Sequence, residues 1–507
     1  MAATEGVGNG VSRRLVLRAG LGGAGVLAMG GAGVAMSGGS TAAPPVKGTP
    51  NRLFIPLPAG PTTELRAASG FTDLGGGKMG QALLYNGHLP GPTFEVDNGD
   101  TVKVLFTNDL DAATTVHWHG LMIPTAVDGQ PHEAIPPGNT FDYSFKVNQR
   151  AGMSWYHPHP HLATASQVAY GLAGGFIIRD TEEYLLLLPS GPYEVPLIIR
   201  DANIDKAGNL SYNGKASGFT GSIPLVNGTR DAELEVHQSW YRFRILIGSN
   251  SRLFNLALSS GAPFRLIGND GGLLPTAVDL PAMELSPGER VDVLVDCTGI
   301  GPGQTVGLVD TNSGWTLLRL KGTGETGGAG SAATVPASGA ILSTDEPTFQ
   351  TANSPTRRTF SFDGMTRING AVYDMDVISF DVPQNTVEEW VFRTNGNAPH
   401  PVHVHGASFQ VMSRTGGRGR LFPWEGGWKD TVLLHDRETV RVRLSFDSGY
   451  TGRYLLHCHK LEHEDAGMML NFRVVDPNAP LGASSAASGS GAPGPHGTAA
   501  QGHPGHK

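Results

Sequence analysis

The sequence predicts an all-β protein made of three Greek-key β-sandwiches, and three observations carry that prediction. Glycine and proline are abundant, 71 and 35 of 507 residues, against an average glycine usage of about 7%. Only 16% of residues are charged, as suits a turn-rich chain of short strands. Apolar runs of period two recur between turn signals, and no helical heptad interrupts them. The glycines follow no triplet repeat, which excludes collagen, and 39% apolar content excludes wholesale disorder. A formal charge of −8 leaves no general attraction for nucleic acid. Two cysteines allow at most one disulfide, so cystines do not hold the fold.

The first 43 residues stand apart from the fold. Ser12-Arg13-Arg14-Leu15-Val16-Leu17-Arg18 precedes a weakly apolar run to Ala35, the pattern of a twin-arginine export signal. Seven glycines between Gly20 and Gly33, with no polybasic stop after them, weigh against a transmembrane anchor. Cleavage near Ala35 or Ala43 fits the pattern, and the absence of a nearby cysteine excludes a lipoprotein. Such a signal carries folded proteins, which suits one loaded with a cofactor before export to the periplasm, cell wall or medium. No later segment is apolar enough to span a bilayer, so no stable membrane insertion is expected after cleavage.

Residues 44–185 form the first β-rich block, with strands expected at Thr101–Phe106 and Phe141–Val147 and turns at Pro90–Pro92 and Pro136–Gly138. The second block, 186–321, repeats the style at Ser239–Ile247 and Arg290–Val295. Residues 322–357 open with a Gly/Ala/Ser/Thr-rich stretch and read as a linker. The third block, 358–476, has strands expected at Val387–Arg393, Thr439–Ser445 and Gly452–Leu456. The tail, 477–507, is Ala/Ser/Gly/Pro with His496, His503 and His506 and reads as disordered.

The histidines are not scattered. Ten of 18 fall in four short clusters: His117-Trp118-His119; His157-Pro158-His159; His400-Pro401-Val402-His403-Val404-His405; and His457-Cys458-His459 with His463. A lone H-x-H pair is weak evidence, since neutral core histidines are common. These pairs, however, occur only at the ends of the first and third blocks. On a strand, residues i and i+2 share a face, so each pair presents two imidazoles side by side. Two pairs from each terminal block would bring eight imidazoles to one seam between blocks, leaving the middle block as a spacer. Imidazole alone suits Zn, Cu, Fe and Ni. Cys458 narrows the choice, because His400, Cys458, His463 and Met468 supply two nitrogens, a thiolate and a thioether, the ligand set of a blue-copper site. With His457 and His459 flanking Cys458, an electron leaving that thiolate would reach the imidazole cluster through a few backbone bonds.

With these four motifs in order, the chain from about Arg52 to Val475 resembles the multicopper oxidase family, which includes laccases, bilirubin oxidases and bacterial copper-efflux oxidases. Supporting stretches are Asn86-Gly-His-Leu-Pro-Gly-Pro92, Gly171-Leu-Ala-Gly174, Asn269-Asp-Gly-Gly-Leu-Leu-Pro275, Asn369-Gly-Ala-Val-Tyr-Asp-Met375 and Gly427-Trp-Lys-Asp-Thr431. The resemblance implies three cupredoxin-like domains, a monomer, and four coppers. The type 1 copper would take His400, Cys458 and His463 with Met468 axial. His117 and His403 would hold the type 2 copper. One type 3 copper would take His119, His157 and His459, and the other His159, His405 and His457. It further implies reduction of O2 to water, with Asp128 and Glu464 in the family positions for supplying protons.

The electron donor follows less directly. Gly396-Asn397-Ala398-Pro399, just ahead of His400, contains no Met or Asp, and the Met-rich insertion of the copper-efflux branch is missing. A cuprous site needs soft thioethers. Small phenols and aromatic amines, oxidised as in laccases, are therefore the expected reductants. Cu(I) or bilirubin are the alternatives. An axial Met implies a lower potential than in fungal laccases, favouring easily oxidised methoxyphenols. A copper-free structural member of the family would be expected to lack ligands, and none is substituted. His161 reads as lying just behind the ligand histidines or at the surface, while His88, His132, His237 and His435 read as structural. Cys297, in Val-Leu-Val-Asp-Cys, reads as an inert buried thiol.

Overall fold

The computed structural model describes residues 50–328, 333–344, 355–396 and 398–478. The export pattern, its cleavage positions, Asn397 and the histidines of the tail lie outside the described residues. Strand dominates, at 51% against 7% helix. Six sheets stack in pairs into three cupredoxin-like sandwiches, each around its own apolar core.

In the first sandwich a four-stranded sheet (Met79–Tyr85, Thr62–Asp73, Thr101–Asp109, Thr140–Lys146) faces a five-stranded one ending in Gly152–His157 and His117–His119. Thr101–Asp109 alternates exposed and buried residues along most of its length, as the period-two pattern requires, and extends three residues beyond the expected strand. Phe94, Phe106, Trp118, Tyr156 and Phe176 fill the space between the sheets. The middle sandwich is the largest, with sheets of six and seven strands. It recruits Asn51–Arg52 as an edge strand parallel to Ala232–Gln238. The third pairs two five-stranded sheets over a core containing Phe360, Trp390, Phe409, Tyr454 and Phe472.

The stretch expected to be a linker begins as strand. Trp315–Thr326 runs through Gly322 and Gly324 before pairing ends. Glycine serves close packing there: a Cβ on Gly322 would lie 2.3 Å from the Gly301 carbonyl oxygen and 2.4 Å from that of Ile300. Farther on, the Ala277 amide donates to the Ala340 carbonyl (3.0 Å) and the Leu342 amide to that of Pro275 (2.9 Å). Residues 339–342 are thereby bound to the middle sandwich.

Strand register delivers the histidines. His117 is directly opposite His157 in one antiparallel pair, and His403 opposite His457 in another. Between Gly452–Cys458 and Met469–Val475 the chain makes one helical turn, Leu461–Asp465. Glu462 there accepts from Tyr212 Oη (3.2 Å), Asn250 Nδ2 (2.8 Å) and Ser251 Oγ (2.6 Å) of the middle sandwich. Asp465 accepts the amides of Thr164 and Ala165 in the first (3.0 and 2.9 Å). Burial holds its carboxyl up at about 8, opposed by those amides. Replacing Glu462 with alanine strips three donors of their acceptor, each worth about 1–3 kcal/mol when left buried and unpaired. The expected outcome is a clearly lower Tm, with the Glu462→Gln protein falling between parent and alanine variant in thermal denaturation.

Candidate metal centre

Eight imidazoles meet where the first and third sandwiches abut: His117, His119, His157 and His159 from one, His403, His405, His457 and His459 from the other. All are at most 1% exposed. His119 and His403 stack with ring centroids 3.7 Å apart, His117 and His405 at 4.0 Å. Ligand atoms of His117, His403 and His405 lie within 4.8 Å of one another, as do those of His117, His119 and His157, and of His159, His405 and His457. His459 stands beside them, its ring 4.9 Å from that of His119 and 5.4 Å from that of His157.

What each ring does with its outward nitrogen explains the arrangement. Nδ1 of His117 meets the Asp128 carbonyl (2.8 Å), that of His157 the Pro158 carbonyl (2.9 Å) and that of His403 the Asp430 carbonyl (2.9 Å). His405 Nδ1 meets Asp128 Oδ2 (2.8 Å), and His457 Nδ1 the Cys458 carbonyl (3.2 Å). An oxygen without hydrogen accepts there, so the ring proton sits on Nδ1 and the Nε2 lone pair points inward. His119 is turned the other way, with Nε2 against Asp430 Oδ1 (3.1 Å) and Nδ1 inward. The inward nitrogens of His117, His119, His157 and His403 have no hydrogen-bond partner among the described residues, and Nε2 of His405 faces Nε2 of His457 at 3.1 Å. Converging buried lone pairs are costly with nothing between them and suited to metal cations.

Burial pushes the imidazole pKa of His119, His157, His159, His405 and His459 well below 6.5, and neighbouring imidazoles lower them further. His403 falls to about 4, chiefly by burial. Neutral imidazole is the ligating form.

Two carboxylates touch the cluster. Asp128, just after a short 3₁₀ turn, takes the His405 bond described above and a second from Gln130 Nε2 (3.1 Å); it lies 3.4 Å from His117 Nδ1. Glu464 sits between His159 Nδ1 (3.2 Å) and His457 Nδ1 (3.3 Å).

A second centre lies next door in the third sandwich. Cys458 Sγ is 3.5 Å from His400 Nδ1 and 3.6 Å from His463 Nδ1, and those two nitrogens are 3.2 Å apart. Met468 is buried in the same core, its amide donating to the His463 carbonyl (2.8 Å). The Lys460 amide points at Sγ from 3.4 Å. Burial lowers His400 and His463 to about 3 and raises the Cys458 thiol to about 12. The thiol must therefore shed its proton to bind metal. Soft sulfur with two imidazoles fits copper better than a hard cation.

Of the other residues singled out, His161 is half-buried against Tyr373 (ring centroids 5.7 Å), and Cys297 is buried in the middle core with burial holding its thiol at about 12. Sequence reasoning did not single out Asp430, Thr431 or Arg290. Asp430 stands inside a quoted stretch, but nothing in its spacing announces a contact with His119, 311 residues away.

Family models described as multicopper oxidase match residues 69–183 and 342–478. The chain is 34% identical over 422 residues to multicopper oxidase mco of Staphylococcus haemolyticus, covering 81% of this chain and 88% of that protein. It is 31% identical over 479 residues to a laccase of Bacillus subtilis, covering 78% and 90%. The crystal structure of a multicopper oxidase from Pediococcus acidilactici superposes with a TM-score of 0.79 at 33% identity, over 86% of this chain and 93% of that one.

The buried neutral imidazoles make the copper-free protein acid-sensitive. Their folded pKa values lie below the unfolded value of about 6.5, so below that pH the unfolded chain binds protons the folded one does not. Stability present above pH 6.5 is lost as pH falls toward the folded values. The Tm of the copper-free protein should drop steeply between about pH 6.5 and 4.5; a flat Tm across that window would contradict neutral burial.

Proposed function

The chain belongs to the multicopper oxidase family, and on that footing we propose that it works as a laccase-like enzyme, oxidising phenols and aromatic amines at the expense of O2. By motif position, His400, Cys458 and His463, with Met468, would hold a type 1 copper, and His117 and His403 would hold a type 2 copper. His119, His157 and His459 would hold one type 3 copper, and His159, His405 and His457 the other. Bound there, the four coppers supply one-electron oxidation of the donor and four-electron reduction of O2 to water.

One observation carries the reading. Cys458 Sγ faces two imidazoles of one centre, while its sequence neighbours His457 and His459 belong to the other. Any electron entering at Sγ is a few covalent bonds from the cluster. Asp128 and Glu464 complete the chemistry, since water formation consumes protons. Asp128 Oδ2, held by His405 Nδ1 and Gln130 Nε2, offers one carboxylate at the cluster, and Glu464, between His159 and His457, offers the second.

The donor reading is supported by what surrounds the thiolate centre. The four residues just ahead of His400, Gly396-Asn397-Ala398-Pro399, include neither Met nor Asp, so soft ligands for a dedicated Cu(I) site are missing from that stretch. Cu(I) and bilirubin are the competing donors. The export pattern ahead of residue 43 supports work in the periplasm, cell wall or medium. Among the described residues, no helix is long and apolar enough to cross a membrane.

A kcat/KM comparison of 2,6-dimethoxyphenol, Cu(I) and bilirubin tests the donor: the phenol should lead by about tenfold or more, a transition-state difference of about 1.4 kcal/mol. A lead by Cu(I) would reverse the assignment. Cys458→Ser should keep the fold and abolish both blue colour and turnover, whereas turnover at the parental rate would place electron entry elsewhere. Asp128→Asn and Glu464→Gln should keep the blue colour and slow O2 reduction by about 10²- to 10⁴-fold, seen as slow return of colour when the reduced protein meets air.

A further inference from the structure

Behind the imidazole cluster, where the middle and third sandwiches meet, five charged residues are at most 4% exposed: Asp270, Glu289, Arg290, Lys429 and Asp430. Burial without pairing would be prohibitive, and the pairing is dense. Arg290 Nε donates to the Met153 carbonyl (2.9 Å), Nη1 to the Gly288 carbonyl (2.9 Å) and Asp430 Oδ1 (2.7 Å), and Nη2 to the Asp270 carbonyl (3.1 Å) and Asp430 Oδ2. The fork grips both oxygens of Asp430 at once, the geometry only arginine offers. Lys429 Nζ lies 2.9 Å from Asp270 Oδ2 and 3.2 Å from Glu289 Oε1, anchoring the carboxylates on the other flank.

Asp430 in turn meets His119. Its Oδ1 lies 3.1 Å from Nε2, with Thr431 Oγ1 at 3.2 Å from the same nitrogen and itself donating to Oδ1 (2.9 Å). Among the imidazoles, His119 is the odd one. His117, His157, His403 and His457 rest Nδ1 on backbone carbonyls, which the fold fixes by itself. His119 instead turns Nδ1 inward, and it depends on side chains to stay so. The turn just ahead of Arg290 also backs the ring: Gly288 has φ +85°, and a Cβ there would come within 3.2 Å of His119 Cε1 and His459 Cδ2.

We propose that Arg290 is a positioning residue for the metal cluster: by clamping Asp430 it holds His119 with Nδ1 inward, so the middle sandwich, which contributes no imidazole, governs copper retention at that corner. The proposal rests on the copper reading of the cluster.

The test compares the full-length, copper-loaded parent with Arg290→Lys, Asp430→Asn and Asp430→Glu, reading copper per chain, chelator competition, the blue band and Tm. Arg290→Lys keeps the charge and loses the fork, and Asp430→Asn keeps the shape and loses the charge. Both should hold the blue band and stay within a few degrees of the parental Tm, while cluster copper affinity falls about 10- to 100-fold. Asp430→Glu, which keeps the carboxylate, should recover part of it. Parental affinity in both of the first two variants overturns the proposal, and so does a loss of copper that strikes the blue site equally. A parent chain that holds no copper overturns this inference and the cluster reading together; a loaded parent with unaltered variants overturns this inference alone.

Discussion

The rest of the structure is arranged around one electrostatic constraint: inward-facing imidazole lone pairs crowd a buried space in which, among the described residues, several of them find no hydrogen-bond donor. Such a convergence repels itself unless something holds each ring in place from outside. Here the holding is done at the opposite nitrogen, by carbonyls for four rings and by carboxylates for His119 and His405. An oxygen that can only accept fixes both the tautomer and the orientation of the ring, and makes its free nitrogen a better donor to a metal. The low imidazole pKa values follow from the same burial, because taking a ring out of bulk solvent disfavours its protonated form.

Three sandwiches are needed because no single sheet edge can present eight rings to one point. Antiparallel register supplies them in opposed pairs, and the abutment of two sandwiches brings the pairs face to face. The middle sandwich then acts as more than a spacer. Through Arg290, Asp270 and the turn at Gly288 it presses on the cluster from behind, and through Asn250 and Ser251 it grips Glu462 beside the thiolate centre.

The fold class and the ring-bearing residues were legible because both rest on local patterns. Alternation of period two marks Thr101–Asp109, and H-x-H spacing on a strand already implies paired imidazoles. Cys458 stood out because a thiolate between two histidines has a narrow chemical meaning. What escaped was whatever depends on long-range packing. Asp430 and Arg290 are ordinary charged residues until the fold brings them together across 140 positions. Gly322 read as slack, since a sequence cannot distinguish a glycine kept for freedom from one kept because two carbonyls approach it.

The helical turn Leu461–Asp465 has a consequence for how the chain can vary. Four successive side chains leave it in four directions: Glu462 to the middle sandwich, His463 to the thiolate, Glu464 to the imidazole cluster and Asp465 to the first sandwich. Consecutive residues on a helix differ by about 100° in heading. Inserting or deleting one residue between Cys458 and the turn would swing all four onto wrong partners together. The segment can thus drift in composition but not in length, like a key whose teeth can be recut individually while its blade cannot be lengthened.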